Sequence, residues 1–160
     1  MTYVFRPFTR ADAAMVGVWL TTPEVARWWG DPEYQLELVT EDLDAPQMRQ
    51  WVVAHDGRDF AYVQAYPARA WEQAHMMRFP ETTEAVDAFV GVPEMLGRGH
   101  GSRFLNQFAR MLLDDGATRV VIDPAQENKR AIAAYARAGF VGDEVVEGGE
   151  GPVVLMMFPG

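Results

Sequence analysis

The sequence contains no cysteine, and this absence excludes several kinds of site. A chain without thiolates forms no disulfides, cysteine nucleophiles, iron–sulfur clusters or cysteine-ligated zinc sites. Serine occurs once, at Ser102 within GRGHGSR, which does not match the G-x-S-x-G turn of many serine hydrolases. The three histidines, at positions 55, 75 and 100, include no i,i+4 pair. We therefore predict no metal site.

Lysine is almost absent as well, and Lys129 is its single occurrence. Aspartate and glutamate number 23 against 14 lysines and arginines, which gives a net charge of −9. Such a surface repels nucleic acid and anionic membranes and attracts cations. Residues 31–44 carry six acidic side chains and no basic one. We predict a small cationic partner, and neither nucleic acid nor membrane.

No apolar run approaches the ~18 residues that a membrane helix needs. The first ten residues, MTYVFRPFTR, lack the apolar core of a signal peptide, so we expect a cytoplasmic protein. Hydrophobic residues make up 49% of the chain, which is typical of globular proteins rather than disordered ones. The length of 160 residues predicts a single domain over 1–160. A monomer and a homodimer both remain open.

The order of predicted elements indicates an α/β fold. QWVVAH and FAYVQAY flank Asp56-Gly57, which predicts a β-hairpin. Residues 31–44 are predicted as loop or short helix, and residues 67–83 as a loop over the site. A strand AVDAFVGV, a helix from Ser102, a strand ATRVVIDP and a helix closed by Gly139 follow, and then two final strands. We predict one mixed sheet of about seven strands flanked by helices.

Three alternating glycines, Gly97, Gly99 and Gly101, stand between a predicted strand and a predicted helix. Glycine lets backbone N–H groups turn toward one point, and the helix N-terminus adds a favourable dipole. The spacing differs from the G-x-G-x-x-G of dinucleotide-binding folds, and the G-K-[ST] of a Walker A loop is missing. The loop therefore predicts a cradle for the pyrophosphate of a coenzyme, with a plain tight turn as the alternative.

Two motifs together carry a resemblance to a known family. PEMLGRGHGSRFL is followed, after a strand, by the pattern N-x-x-A-I-x-x-Y-x-x-x-G-F. This combination resembles the GCN5-related N-acetyltransferase (GNAT) family, best over residues 85–140. Within that family the chain is similar to the aminoglycoside 6′-N-acetyltransferases. The residues that carry this similarity are RWWGD at 27–31, YVQAY at 62–66, Val86-Asp87, VIDP at 121–124 and GEGPVVLM at 149–156.

The resemblance implies a GNAT fold, acetyl-CoA as co-substrate, no metal, and roles for particular residues. It implies acetyl-CoA binding by Phe89, Val90, Gly97, Arg98, Gly99, Gly101, Ser102 and Asn128. It implies acceptor binding by Trp29, Gln64, Glu72, Asp87, Asp123 and Glu150. Asp87 would also handle the proton of the amine, and Tyr135 would protonate the departing thiolate.

The residue types agree with this chemistry, although each has a simpler interpretation. An amine is mostly protonated at pH 7, so a nearby carboxylate such as Asp87 or Asp123 is a suitable proton acceptor or cation ligand. Asp87 could instead face solvent on an edge strand, and Asp123 could cap a turn. Tyr135 could be a packed aromatic, and Trp29 could belong to the core rather than to a cation-binding wall.

The sequence therefore predicts an acetyl-CoA-dependent N-acetyltransferase. Its acceptor would be a primary amine of a small cationic molecule, with an aminoglycoside and hence antibiotic resistance as the first expectation. A siderophore hydroxylamine, a polyamine or a protein N-terminus is an alternative acceptor. A non-catalytic acyl-CoA-binding sensor is an alternative of another class, and it would need the glycine loop but not Asp87 or Tyr135.

Overall fold

The computed structural model describes residues 2–159 and contains one seven-stranded mixed sheet, as predicted. The strand order is β1-β2-β3-β4-β5-β7-β6. Strands β4 and β5 pair in parallel, whereas β1–β2, β2–β3, β5–β7 and β6–β7 are antiparallel. The strands are β1 (Val4–Pro7), β2 (Arg49–His55), β3 (Arg58–Pro67), β4 (Thr83–Val90), β5 (Arg119–Ile122), β6 (Val141–Gly148) and β7 (Gly151–Phe158).

Five α-helices accompany the sheet in the described part of the chain. They are α1 (Ala13–Leu20), α2 (Pro23–Trp29), α3 (Pro32–Glu41), α4 (His100–Asp114) and α5 (Lys129–Ala138). Of the loop and the short helix predicted for the acidic segment, the structure shows the helix, and Asp31 caps it by accepting from the Tyr34 backbone N–H at 2.9 Å. Helix α4 begins two residues before the predicted Ser102. Residues 68–82 contain no helix or strand, as predicted.

The chain forms two compact units, and strand β4 contributes to both. The first unit comprises the described residues up to Ala65 together with Asp87–His100. Its antiparallel strands β1, β2 and β3 include the predicted hairpin, in which Asp56 and Gly57 both have positive φ, 50° and 77°. This is the backbone that a two-residue type I′ turn requires.

Gly91, directly after β4, is a position of close approach in the first unit. Its N–H donates to the carbonyl of Phe60 at 2.7 Å. A Cβ placed on Gly91 would lie 2.2 Å from Cγ of Trp19, whose side chain is buried in helix α1. The indole of Trp19 therefore packs directly on the backbone, and only glycine leaves room for it.

The second unit comprises Tyr66–Val86 and the described residues from Gly101 onward. Residues Thr83–Ala85 pair in parallel with Arg119–Val121. Helix α4 buries Phe104, Leu105, Phe108 and Leu112 along one apolar face. Helix α5 ends at Gly139, whose φ of 111° confirms it as the residue that closes the helix.

Within residues 2–159, no helix is both long enough and apolar enough to span a membrane. The expectation of a single domain over 1–160 and the expectation of a cytoplasmic location both stay predictions.

Candidate functional site

A chain of buried polar side chains crosses the first unit and ends at Asp87. Gln50 Nε2 donates to the backbone carbonyl of Val39 at 2.7 Å and to the Tyr62 hydroxyl at 3.0 Å. The Tyr62 hydroxyl donates to Gln64 Oε1 at 2.7 Å, and Gln64 Nε2 donates to Asp87 Oδ2 at 3.0 Å. We call Gln50, Tyr62 and Gln64 the relay.

The direction of every hydrogen bond in the relay is fixed by its two ends. The carbonyl of Val39 can only accept, so Gln50 must present its amide nitrogen there. Because the same nitrogen also donates to Tyr62, the Tyr62 hydroxyl has to direct its single proton to Gln64. The Gln64 amide nitrogen then points at Asp87, which must accept. The relay therefore stabilises Asp87 as a carboxylate and fixes the orientation of that side chain.

The electrostatics around Tyr62 favour the same protonation states. Burial raises the pKa of Tyr62 far above its usual value, and the charges of Asp42 and Asp87 act in the same direction. The phenol therefore stays neutral and remains a donor. Burial also raises the pKa of Asp42, and the neighbouring Glu41 adds to that rise. Asp42 is thus a second partly buried carboxyl group whose charge acts on the relay.

An aromatic cluster adjoins the relay. The ring of Trp29 lies 5.0 Å from that of Phe89 and 6.3 Å from that of Tyr62, in both cases edge to face. Tyr62 and Phe89 stack at 5.5 Å. Trp29 is half-buried, whereas Tyr62 is completely buried. The predicted Trp29, Gln64, Asp87 and Phe89 therefore lie in one connected neighbourhood, and β4 is a central strand rather than an edge.

The Tyr62 hydroxyl can be tested by removing a single oxygen. We expect Tyr62→Phe to lower the free energy of unfolding by about 1–3 kcal/mol, because buried amides of Gln50 and Gln64 lose a partner. Turnover should fall as well, because Gln64 is then free to rotate away from Asp87. Chemical denaturation and steady-state kinetics measure both effects. Tyr34→Phe, which removes a hydroxyl from an exposed side chain, is the matched control, and equal stability losses would contradict a role for the relay.

The glycine loop has the backbone that an anion cradle needs. Gly97 and Gly99 have positive φ, 73° and 82°, and helix α4 begins immediately after them. The Tyr3 hydroxyl and His100 Nδ1 lie 2.8 Å apart in a buried hydrogen bond, which holds the first residue of the helix. Positive φ at alternate positions turns successive N–H groups toward one side. This part of the chain suits a pyrophosphate, while Arg98 beside it is exposed and Val90 is half-buried.

Three predicted cofactor-binding residues belong to the second unit, and two of them use their side chains within the protein. The Ser102 hydroxyl donates to the carbonyl of Ala134 at 2.8 Å, so Ser102 offers a ligand its backbone N–H rather than its hydroxyl proton. Asn128 caps α5 by accepting from the Ala131 N–H at 3.2 Å. Gly101 lies in the first turn of α4.

Asp123 of the second unit has a partner that the sequence did not predict. His75 Nε2 lies 2.8 Å from Asp123 Oδ2, and the His75 side chain is only 5% exposed. Burial raises the pKa of Asp123, and the hydrogen bond from His75 opposes that rise. Asp123 is therefore hydrogen-bonded to a buried side chain.

Three further predicted residues belong to the second unit: Tyr135, Glu72 and Glu150. Tyr135 on α5 is half-buried, with its ring 6.4 Å from that of Phe140. Glu72 is exposed in the segment between β3 and β4, with a positive φ of 53°. Glu150 is exposed between β6 and β7.

Comparison with known proteins decides the family. The model of the acetyltransferase (GNAT) domain matches residues 9–147. The chain belongs to the GNAT acetyltransferase family. Membership confirms the predicted acetyl-CoA-dependent N-acetyltransferase activity and the predicted fold.

The proteins similar to this chain include two acetyltransferases named for aminoglycosides and a kanamycin resistance protein. An aminoglycoside N(6′)-acetyltransferase type 1 of Klebsiella pneumoniae is 26% identical over 165 residues, covering 95% of this chain and 80% of that protein. A kanamycin resistance protein of Rhizobium radiobacter is 32% identical over 73 residues, covering 45% of this chain and 68% of that protein. The crystal structure of the aminoglycoside acetyltransferase AAC(6′)-Ib with coenzyme A and kanamycin is 25% identical, with a TM-score of 0.87, covering 98% of this chain and 94% of that one.

Four polar residues described above were not predicted from the sequence as parts of the site of this GNAT protein. They are Gln50, Tyr62, Asp42 and His75. Tyr62 lies in the motif YVQAY, but a tyrosine in a predicted strand gives no sign that its hydroxyl connects two glutamines. Histidine and glutamine are polar residues that interiors accept only with partners, but the partners of Gln50 and His75 are 11 or more residues away in the sequence.

Proposed function

We propose that this GNAT protein acetylates a primary amine of an aminoglycoside, at the 6′ position, with acetyl-CoA as the acetyl donor. The observation that carries the proposal is the carboxylate of Asp87, held by the buried relay, whose Tyr62 ring packs edge to face against the half-buried ring of Trp29. A carboxylate next to an aromatic wall suits a cationic amine. The similar proteins named for aminoglycoside N(6′)-acetylation support this acceptor class.

In the proposed reaction, Asp87 binds the ammonium form of the acceptor and accepts the proton that the amine must lose. The neutral amine then attacks the thioester carbonyl carbon, so that a C–N bond forms and the C–S bond breaks. The phenol of Tyr135 donates a proton to the leaving sulfur. The nitrogen loses its second proton to solvent as the amide forms, and Tyr135 regains a proton from solvent. Backbone N–H groups of β4 are the proposed donors to the carbonyl oxygen as its charge develops.

The remaining predicted residues take the binding roles in this proposal. Phe89, Val90, Gly97, Arg98, Gly99, Gly101, Ser102 and Asn128 would hold the coenzyme, with Ser102 acting through its backbone. Trp29, Gln64, Glu72, Asp123 and Glu150 would surround the acceptor. The excess of acidic residues over the whole chain also favours a polycationic acceptor over an anionic one. The cytoplasmic location belongs to this proposal, because acetyl-CoA is available there.

The test is release of free thiol from acetyl-CoA across a panel of amines. The panel holds kanamycin, kanamycin already acetylated at the 6′ amine, spermidine, a hydroxylamine and a basic peptide. We expect release with kanamycin and none with the blocked compound, because the reacting nitrogen is then unavailable. Mass spectrometry of the product would identify the acetylated nitrogen.

Two results would contradict the proposed acceptor. Equal rates with kanamycin and its 6′-acetylated form would place the reaction on another nitrogen. Release with spermidine, the hydroxylamine or the peptide alone would retain the family chemistry and exclude the aminoglycoside. Binding of acetyl-CoA without release on any amine would favour the sensor alternative.

A further inference from the structure

The pair His75–Asp123 joins two segments that are 48 residues apart in the sequence. His75 lies in the segment of turns at 68–82, and Asp123 follows strand β5 directly. The His75 side chain is 5% exposed, whereas that of Asp123 is 19% exposed. The imidazole is therefore nearly closed off from any ligand, while part of the carboxylate can be reached. Any effect of His75 on an acceptor has to act through Asp123.

Both partners are attached to anchored backbone. Beside His75, the completely buried side chain of Met76 holds the segment, and its N–H donates to the carbonyl of Gln73 at 2.9 Å. After Asp123, the carbonyl of Pro124 accepts from the N–H of Val154 in β7 at 2.9 Å. Because hydrogen bonds hold the backbone on both sides, the orientation of the Asp123 carboxylate depends on its side-chain torsions. The 2.8 Å hydrogen bond to His75 fixes those torsions.

The hydrogen bond also opposes the cost of burying the carboxylate. Burial raises the pKa of Asp123, because a desolvated charge is unfavourable. The interactions that act against this rise come from His75 and from the backbone N–H of Asp123 itself. Removing the imidazole would therefore favour the neutral carboxyl group, which has no charge with which to attract an ammonium group.

We propose that His75 is a positioning residue: its hydrogen bond orients the Asp123 carboxylate so that Asp123 binds an ammonium group of the acceptor. This inference rests on the proposed function, since it assigns one subsite of the same acceptor. It makes His75 a determinant of acceptor affinity, while the acetyl-transfer step and the binding of acetyl-CoA do not depend on it.

Two substitutions at position 75 separate positioning from simple packing. His75→Phe retains an aromatic ring without the donor, and His75→Gln retains an N–H donor without the ring. We expect His75→Phe to raise the acceptor KM about tenfold, the order of effect of a lost hydrogen bond to a charged group. The kcat and the KM for acetyl-CoA should stay within about twofold, and His75→Gln should recover most of the acceptor KM.

The third variant, Asp123→Asn, completes a double-mutant cycle. It should raise the acceptor KM at least as much as His75→Phe does, and the double variant should be no worse than Asp123→Asn alone. Additive effects, or an unchanged acceptor KM in His75→Phe, would overturn the proposal. Equal rises in both KM values together with a lower Tm would also overturn it, because they would show that His75 only stabilises the fold.

A measurement without turnover keeps this inference separate from the proposed function. If the wild-type protein does not acetylate kanamycin, the proposed acceptor fails. The ionisation of Asp123 can still be followed by ¹³C NMR of its carboxyl carbon in the wild-type protein, His75→Phe and His75→Gln. We expect a higher pKa in His75→Phe than in the other two. The same pKa in all three would contradict the role of His75 whatever the acceptor is.

Discussion

The variant Asp87→Asn should lose most of its turnover, with kcat falling by ~10²–10⁴, the range for a positioned acid or base. Asparagine retains the shape of the side chain but carries no charge and cannot take the proton of the amine. Its amide oxygen can still accept from Gln64, so the relay and the fold should survive. Steady-state thiol release gives kcat, and calorimetric titration gives the affinity for acetyl-CoA, which we expect to be unchanged.

The matched control is Asp115→Asn, which makes the same change of charge at an exposed position just after helix α4. It should leave kcat and both KM values unchanged. An Asp87→Asn protein with a rate close to that of the control would remove Asp87 from the reaction. Turnover would then need a different proton acceptor, and partly buried Asp42 would be the next to substitute.

The variant Gly91→Ala should be strongly destabilised. Its new Cβ would lie 2.2 Å, 2.3 Å and 2.6 Å from three atoms of Trp19, too close for any of them to stay in place. Overpacking of this kind costs about 1–3 kcal/mol and sometimes more. We expect a cost at or above the top of that range, because a buried indole has less freedom to move than a flexible aliphatic side chain. Urea denaturation of the two proteins measures the difference.

Gly149→Ala serves as the control for Gly91→Ala. A Cβ at Gly149, in the turn between β6 and β7, would have no heavy atom within 4 Å. Its free energy of unfolding should remain within about 0.5 kcal/mol of the wild-type value. If Gly91→Ala were equally stable, the indole of Trp19 would have to find another position, and the edge-to-face contact between Trp19 and Phe89 at 6.4 Å would be lost.

The elements that could be predicted from the sequence are those with local signals. Asp56-Gly57 determines its hairpin because both residues tolerate positive φ. Gly139 ends α5 for the same reason, and the apolar runs FAYVQAY and AVDAFV place β3 and β4. The family resemblance, carried by the glycine loop and the Asn128–Phe140 pattern, added the fold and the chemistry to these local elements.

The elements that escaped prediction depend on partners distant in the sequence or on competing signals. The sequence leaves α3 open between a loop and a short helix, because its many acidic residues and few apolar ones obscure the helical period despite an aspartate cap and a proline at the first position. The relay needs Gln50 and Gln64 to meet across two antiparallel strands, and a sequence shows no such register. His75 lies in a segment without any period, so only the folded chain brings it to Asp123.

The anchor of the relay has a consequence for how this protein can evolve. The first hydrogen-bond acceptor of the relay is the main-chain carbonyl oxygen of Val39 in α3. A main-chain carbonyl is present whatever amino acid stands at that position. Substitutions on the exposed face of α3 leave that oxygen in place and therefore carry little risk for the orientation of Asp87. Insertion or deletion of one residue in α3 is different, because it turns the rest of the helix by about 100° and moves the carbonyl. Lineages of this protein should therefore vary the exposed residues of α3 while conserving the length of the helix and the buried Val39.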